Sequence, residues 1–310
     1  MYDDGAQFYK YGRYLTKKFG AKVQKISIDA GFTCPNRDGT IGLEGCIYCN
    51  NHSFTPKYCA PTMSITEQIT QGIKFFERKR DYLYLAYFQS YTNTHTKPSL
   101  LYKMLFEAAG NQNIVGIVVS TRPDCVSDGI LDVLLKINDI KPIWVEFGLE
   151  STLDRSLKLL NRGHNYKQLC ESVHKLSVAG ILTGAHLILG IPGESRKDMV
   201  NHAIEISKLP LSTVKLHQLQ IIKQTKLAEM YRNKTITVNL IDWPEYVDLC
   251  ADFVEYLRPN IAIERFASQT THEMLEVSPW KKIKNYHITH LVQNKLVERG
   301  TYQGIFHNNF

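Results

Sequence analysis

Apolar and polar positions fall into repeating blocks along this chain. Short apolar runs of the kind that buried parallel strands require lie at "KVQKISI" (22–28), "YLYLAYF" (82–88), "IVGIVVS" (114–120), "IWVEFGL" (143–149), "GAHLILG" (184–190) and "TVKLHQLQ" (213–220). Helical patterns separate them, several with readable ends. Ser64 with Glu67 makes a capping box, Pro98 and Ser99 open one helix, Ser127 opens another, Gly180 closes a third, and a fourth runs from Ser195 to Pro210.

Strict alternation of strand and helix predicts a parallel α/β sheet, open or barrel-shaped. Six units fit a partial (β/α)6 barrel of the TIM type. The alternation stops near residue 231, beyond which "PEYVDLCADFVEYLR" (244–258) and "WKKIKNYHITHLVQNKLVERG" (280–300) read as helices, and "RPNIAIERF" (258–266) as a short added strand. The expected organisation is an N-terminal segment (1–21), a barrel (22–230) and a mainly helical C-terminal extension (231–310) that covers the barrel mouth. Polar and glycine-rich segments follow the successive strands: "QSYTNTH", "STRPD", "GLES", "GIPGES" and "QLQ". Barrel enzymes assemble their sites at such carboxyl ends, so one cavity can receive them all.

Composition narrows the class. A 44% hydrophobic content belongs to a globular chain, and no apolar run approaches the ~18 residues of a membrane span. The N-terminus lacks the apolar core of a signal peptide, so a cytoplasmic protein is expected, with no membrane partner. Its seven cysteines are then thiols rather than disulfides. The formal charge of +7 is compatible with an RNA partner without requiring one. "GIPGE" lacks the Lys-Ser or Lys-Thr of a phosphate loop.

Three cysteines, Cys34, Cys46 and Cys49, lie in "CPNRDGTIGLEGCIYCNN" (34–51). Two readings fit them. Zinc would need a fourth ligand, His52 or Cys59; a four-iron cubane held by three thiolates would keep one iron open. Cys125, Cys170 and Cys250 lack close partners and read as core thiols, and without a second triad no second cluster is expected.

The stretch "KVQKISIDAGFTCPNRDGTIGLEGCIYCNNHSF" resembles the radical S-adenosylmethionine superfamily, in particular its YtqA/YhcC-type branch, which is similar to the elongator catalytic subunit. The resemblance continues through "STRPD", "VEFGLES", "LNRGHNY", "HLILGIPGE", "VKLHQLQIIKQTKLAEMY" and "RGTYQG", nearly the whole chain. It implies that Cys34, Cys46 and Cys49 hold a 4Fe-4S cluster whose open iron takes S-adenosyl-L-methionine. It further implies that Gln89, Ser90, Tyr91 and Thr92 meet the methionine amino group, and that Ser120 and Glu150 meet the ribose or amino-acid part. Arg162 would meet the cofactor carboxylate, and Ile191, Leu219 and Gln220 with the Tyr48 ring would hold the adenine. An external electron donor such as flavodoxin or ferredoxin would start the reaction.

Glu146, His186, Lys215 and His217 are ionisable groups inside apolar strands, where each needs a partner or a cavity; they are candidate substrate residues. Lys281, Lys282 and Lys284 are candidate RNA contacts. The resemblance implies tRNA as substrate, at the C5 side chain of wobble uridine, with 5-carboxymethylaminomethyluridine converted to 5-aminomethyluridine. No acetyltransferase domain is seen, so the complete elongator-type reaction is not expected. The rivals are a radical enzyme acting on a small molecule or protein, and a metal-containing RNA-binding or regulatory module.

Overall fold

Seven strands form one parallel sheet whose spatial order follows the chain: β1 (Val23–Ile28), β2 (Leu83–Phe88), β3 (Ile114–Thr121), β4 (Ile143–Glu150), β5 (Leu182–Leu189), β6 (Thr213–Gln218) and β7 (Ala262–Arg265). The computed structural model of the chain describes residues 5–53, 55–76, 82–268, 270–278, 280 and 283–307. Helices cross between successive strands, and the sheet curls into a half-barrel of the α/β class, as the alternation predicts. β7 is the short added strand expected within 258–266, and it joins the same sheet as a seventh strand. It has four residues, two of them charged, so its apolar signal is weak; pairing with β6 supplies the rest. No helix among the described residues is long and apolar enough to cross a membrane.

The predicted helix ends form as hydrogen bonds. Ser64 Oγ accepts from the Glu67 amide at 3.2 Å while the Glu67 carboxylate accepts from the Ser64 amide at 2.8 Å, which starts the helix Ile65–Phe76. Ser127 caps Asp128–Asn138, Ser195 caps Arg196–Ser207, and Pro98 occupies the first turn of Pro98–Gly110. Such caps each contribute about 1 kcal/mol by satisfying amides that the helix leaves unpaired.

The two faces of the sheet differ. Leu, Ile, Val and Phe side chains on the outer face form the main core with the crossing helices. The inner face is layered. At the amino-terminal end Leu85, Tyr87, Val118 and Trp144 pack with Leu15 of the helix Tyr11–Phe19, and Trp144 Nε1 donates to Tyr14 Oη at 2.9 Å, plugging the curl.

Above the plug lies a buried layer of charge. The period-two alternation of strands points Lys25, Glu146 and Lys215 inward. Lys25 Nζ lies 2.5 Å from Glu146 and 2.6 Å from Glu264; Lys215 Nζ lies 2.5 Å from Glu146 and 3.2 Å from Glu264. The Tyr87 ring sits between both ammonium groups, 4.7 Å and 4.4 Å from them, and its hydroxyl accepts from Lys215. Burial pushes the Glu146 carboxyl up, but Lys215 and Lys25 outweigh it and hold the carboxyl well below its ordinary value. Burial likewise opposes the charge of Lys25, and Glu146 with Glu264 reverse it, so this ammonium titrates well above its ordinary value.

Gly184 makes the close approach of β5 to β6 possible beside this layer: a Cβ there would stand 2.3 Å from Thr213 Oγ1. Gly184→Ala is therefore expected to destabilise the fold by about 1–3 kcal/mol, read as a lower urea midpoint. Glu146→Gln leaves two buried ammonium groups facing one carboxylate, and a loss of about 3–5 kcal/mol is expected. The pH dependence carries the same signature. Glu146 contributes its stability above its ordinary pKa of 4.5 and loses it as pH falls through the lowered value, so the variant is expected to show a flatter acid limb in pH-dependent unfolding.

Candidate active site

The cysteine loop begins after β1 and is ordered by its own backbone. Amides of Arg37 and Asp38 donate to Cys34 O at 2.8 and 3.1 Å, and that of Ile41 to Pro35 O at 2.7 Å. The long insert thus folds back on itself. Asn36 and Asn161 tie it to the segment after β4: Asn36 Nδ2 donates to Asn161 O at 2.5 Å, and Asn161 Nδ2 to Gly45 O at 2.7 Å. Gly45 adopts φ 72°, and a Cβ there would meet Arg37 Nε at 2.8 Å, so this position requires glycine.

Cys34, Cys46 and Cys49 all line one cavity of about 230 Å³ at the carboxyl ends of the strands. Arginines surround the loop. Arg162, 7% exposed, donates from Nη1 to Cys46 Sγ and to Tyr48 Oη, both at 3.2 Å, and from Nη2 to Gly148 O. Its guanidinium also faces Glu150 at 3.7 Å. Arg37 donates to Cys49 O at 2.8 Å, and Arg122 forms a fork with Asp124 at 2.8 and 3.0 Å while donating to Arg162 O. Burial, with Arg162 and Arg122 close by, pushes His164 down to about 2, so its ring is neutral and accepts from Arg162 Nε at 3.2 Å.

These residues fit an iron-sulfur cluster. Three thiols open into one cavity, Cys46 already accepts a hydrogen bond from a guanidinium, and cationic side chains stand where thiolates and cluster add negative charge. Burial, then the neighbouring Cys46, pushes the free Cys49 thiol up to about 11; iron displaces that proton. Among the described residues no three His, Cys, Asp or Glu side chains converge on a single metal-ion position, whereas a cubane takes each thiolate on a different iron. Cys59 is buried away from the cavity lining, and its thiol donates to Pro56 O at 3.3 Å. The side chain of His52, with Lys281 and Lys282, lies outside the described residues. Cys250 is buried; Cys125 and Cys170 are half-buried.

The cavity gathers most of the remaining predicted residues. Tyr48, Gln89, Tyr91, Thr92, Ser120, Glu150, Arg162, Leu219 and Gln220 line it. Ser90 does not; it is buried in the loop after β2, where Asn93 Nδ2 bonds the carbonyls of Phe88, Ser90 and Ser120 at 2.9–3.2 Å and holds Tyr91 at φ 58°. Ile191 lies behind the lining in an apolar cluster with Ile47, Ile188 and Leu219 that Tyr48 packs against. Of the four strand residues, His186 and His217 reach the cavity, whereas Glu146 and Lys215 belong to the charged layer beneath it. His186 Nε2 joins the two levels, 3.1 Å from Glu146 Oε2. Lys284 is exposed and borders a second cavity of about 310 Å³ that shares Gln218, Gln220, Ser268 and Thr270 with the first.

Sequence reading missed Arg37, Arg122, His164, Tyr87 and Arg265 as site residues. Arg122 stood inside "STRPD"; strict alternation from Ile263 would point Glu264 inward and Arg265 outward, and only the register shift between β6 and β7 sets Arg265 opposite the inward Lys215, so no sequence signal could have found it, while Arg37 and His164 carried no pattern of their own.

Comparison with known proteins agrees with this geometry. Residues 34–206 match the model of the Radical SAM superfamily, and residues 211–298 that of the Radical_SAM C-terminal domain. YtqA of Bacillus subtilis (strain 168) is 30% identical across 97% of this chain and 92% of its own length. YhcC of Escherichia coli (strain K12) is 33% identical across 87% of this chain and 86% of its own. A tRNA uridine(34) acetyltransferase of Methanocaldococcus infernus is 29% identical across 38% of this chain and 22% of its own length. The structure of archaeal Methanocaldococcus infernus Elp3 shares the fold with a TM-score of 0.69 at 17% identity, over 91% of this chain and 64% of that chain. The chain belongs to the radical S-adenosylmethionine superfamily and is an enzyme of that family, whose chemistry uses a 4Fe-4S cluster and S-adenosylmethionine.

Proposed function

We propose that the protein modifies the C5 side chain of wobble uridine in tRNA, converting 5-carboxymethylaminomethyluridine to 5-aminomethyluridine. The observation that carries the radical step is the convergence of Cys34, Cys46 and Cys49 on a cavity that they share with Arg162, Glu150 and the polar groups after β2 and β3. The distant tRNA uridine(34) acetyltransferase relative and the +7 charge support the nucleic-acid substrate.

When bound, the cluster and S-adenosylmethionine would supply a 5′-deoxyadenosyl radical to take hydrogen from the glycine-like methylene of the side chain; loss of one further electron from that carbon to the oxidised cluster, and of the amine proton, would leave an imine that water hydrolyses to 5-aminomethyluridine and glyoxylate. The protein's own residues position and shield. Cys34, Cys46 and Cys49 would hold the irons, and Arg162, already donating to Cys46 Sγ, would steady that sulfur. Gln89, Thr92, Ser120 and Glu150 offer polar atoms to the amino-acid and ribose parts, while Tyr48 and Leu219 give the adenine an apolar wall backed by Ile191. The plug of Trp144 and Leu15 closes the floor against water. The chain that follows β7, which brings Ser268 and Thr270 to the cavity, would serve as the cover, and the cleft beside Lys284 is where a polyanionic strand would lie. The reducing electron would come from a small redox protein such as flavodoxin or ferredoxin.

Cys34→Ala, Cys46→Ala and Cys49→Ala are each expected to lose the absorbance of the reconstituted cluster and all 5′-deoxyadenosine formation while staying folded; product from any of them would remove that thiol from the ligand set. In cells lacking the protein, mass spectrometry of tRNA nucleosides is expected to show 5-carboxymethylaminomethyluridine rising and 5-aminomethyluridine falling. An unchanged wobble-uridine profile would retire this substrate in favour of a small molecule or protein.

A further inference from the structure

Arg265, at the end of β7, turns its guanidinium into the cavity. Its Nη2 donates to His217 Nε2 at 3.1 Å, and its Nε is buried with no hydrogen-bond partner. Among the described residues it forms no ion pair. The nearby acids are already taken: Glu146 lies against Lys25, Lys215 and His186, and Glu264 against the same two lysines. Three cations, Lys25, Lys215 and Arg265, thus share two carboxylates. Burial, then Lys215, lowers the pKa of His186; burial, then Arg265, lowers that of His217 further, so both rings are neutral and add no charge. One positive charge is left uncompensated in a desolvated cavity, a costly arrangement unless an anion arrives with a ligand.

We infer that Arg265 is the carboxylate-recognition residue of the substrate subsite. Nε together with a terminal nitrogen presents the fork that a carboxylate accepts bidentately, and Lys cannot reproduce it. Position selects the substrate rather than the cofactor. The thiols and Arg162 gather around the loop after β1 and the end of β4, whereas Arg265 enters beside His217, where Gln218 and Ser268 open into the second cavity. The inference rests on the wobble-uridine reading for the identity of the acid, the carboxymethylamino group.

Unreduced holoenzyme with S-adenosylmethionine does not turn over, so binding is read apart from chemistry. Equilibrium dialysis compares the nucleoside 5-carboxymethylaminomethyluridine with its methyl ester on wild type, R265K and R265M, with cofactor affinity measured on the same samples. Wild type is expected to prefer the acid by about tenfold or more, R265M to bind acid and ester alike, R265K to keep part of the preference, and cofactor affinity to stay unchanged. In ¹⁵N-labelled wild type the Arg265 Nε–H resonance, assigned by its loss in R265K, is expected to move on adding the acid and stay fixed on adding the ester, which keeps the test decisive if R265M does not fold. Absence of acid preference in wild type, full preference in folded R265M, or cofactor affinity falling in step with the acid's would each overturn the inference. Failure of the wobble-uridine reading is seen separately in the cellular tRNA profile. An unchanged profile together with Arg265-dependent acid preference would retire the reaction and support the carboxylate site.

Discussion

The buried charge layer inside the half-barrel is the constraint on which the site depends. Lys25 of β1 reaches Glu264 of β7, so a salt bridge spans the two edge strands and ties the curl of the sheet. Lys215 and Glu146 complete a square in which each acid meets two ammonium groups. A buried ion pair is weak evidence for stability but strong evidence for geometry, because any other arrangement leaves a charge unpaired. The layer therefore fixes where the apolar plug ends and the cavity begins.

Its vertical order gives the cavity its character. Below it, Trp144 and its neighbours exclude water; above it, His186 and His217 remain neutral because cations and burial both oppose protonation. Radical chemistry requires a dry, rigid enclosure more than a proton relay. Two neutral histidines over a charged floor suit that requirement, and the arginines are grouped at two places, around the cysteine loop beside the sulfurs and at Arg265 beside His217.

The cysteine insert shows how local and tertiary order combine. Its turn residues are readable along the chain, yet the loop takes its shape from Asn36 and Asn161 bonding across it, and from Arg162 reaching Cys46 from the other side. The two parts are more than a hundred residues apart in sequence. A loop held in this way presents its three thiols before any iron arrives.

The sequence by itself determined the strand–helix alternation, the helix caps and the cysteine triad, because each depends on residues a few positions apart: apolar period, side-chain-to-amide capping, and ligand spacing. It also marked Glu146, His186, Lys215 and His217 as inward ionisable residues. Tertiary structure alone decided what those residues do. Glu146 and Lys215 lie in the ionic floor and the two histidines line the cavity, since this depends on which charges the curl brings within 3.2 Å. It decided where the short strand legible in 258–266 goes, pairing β7 with β6 through a register shift, and with it the place of Arg265. Pairing energies between residues distant in the chain leave no local period, which is why these assignments had to wait for the fold.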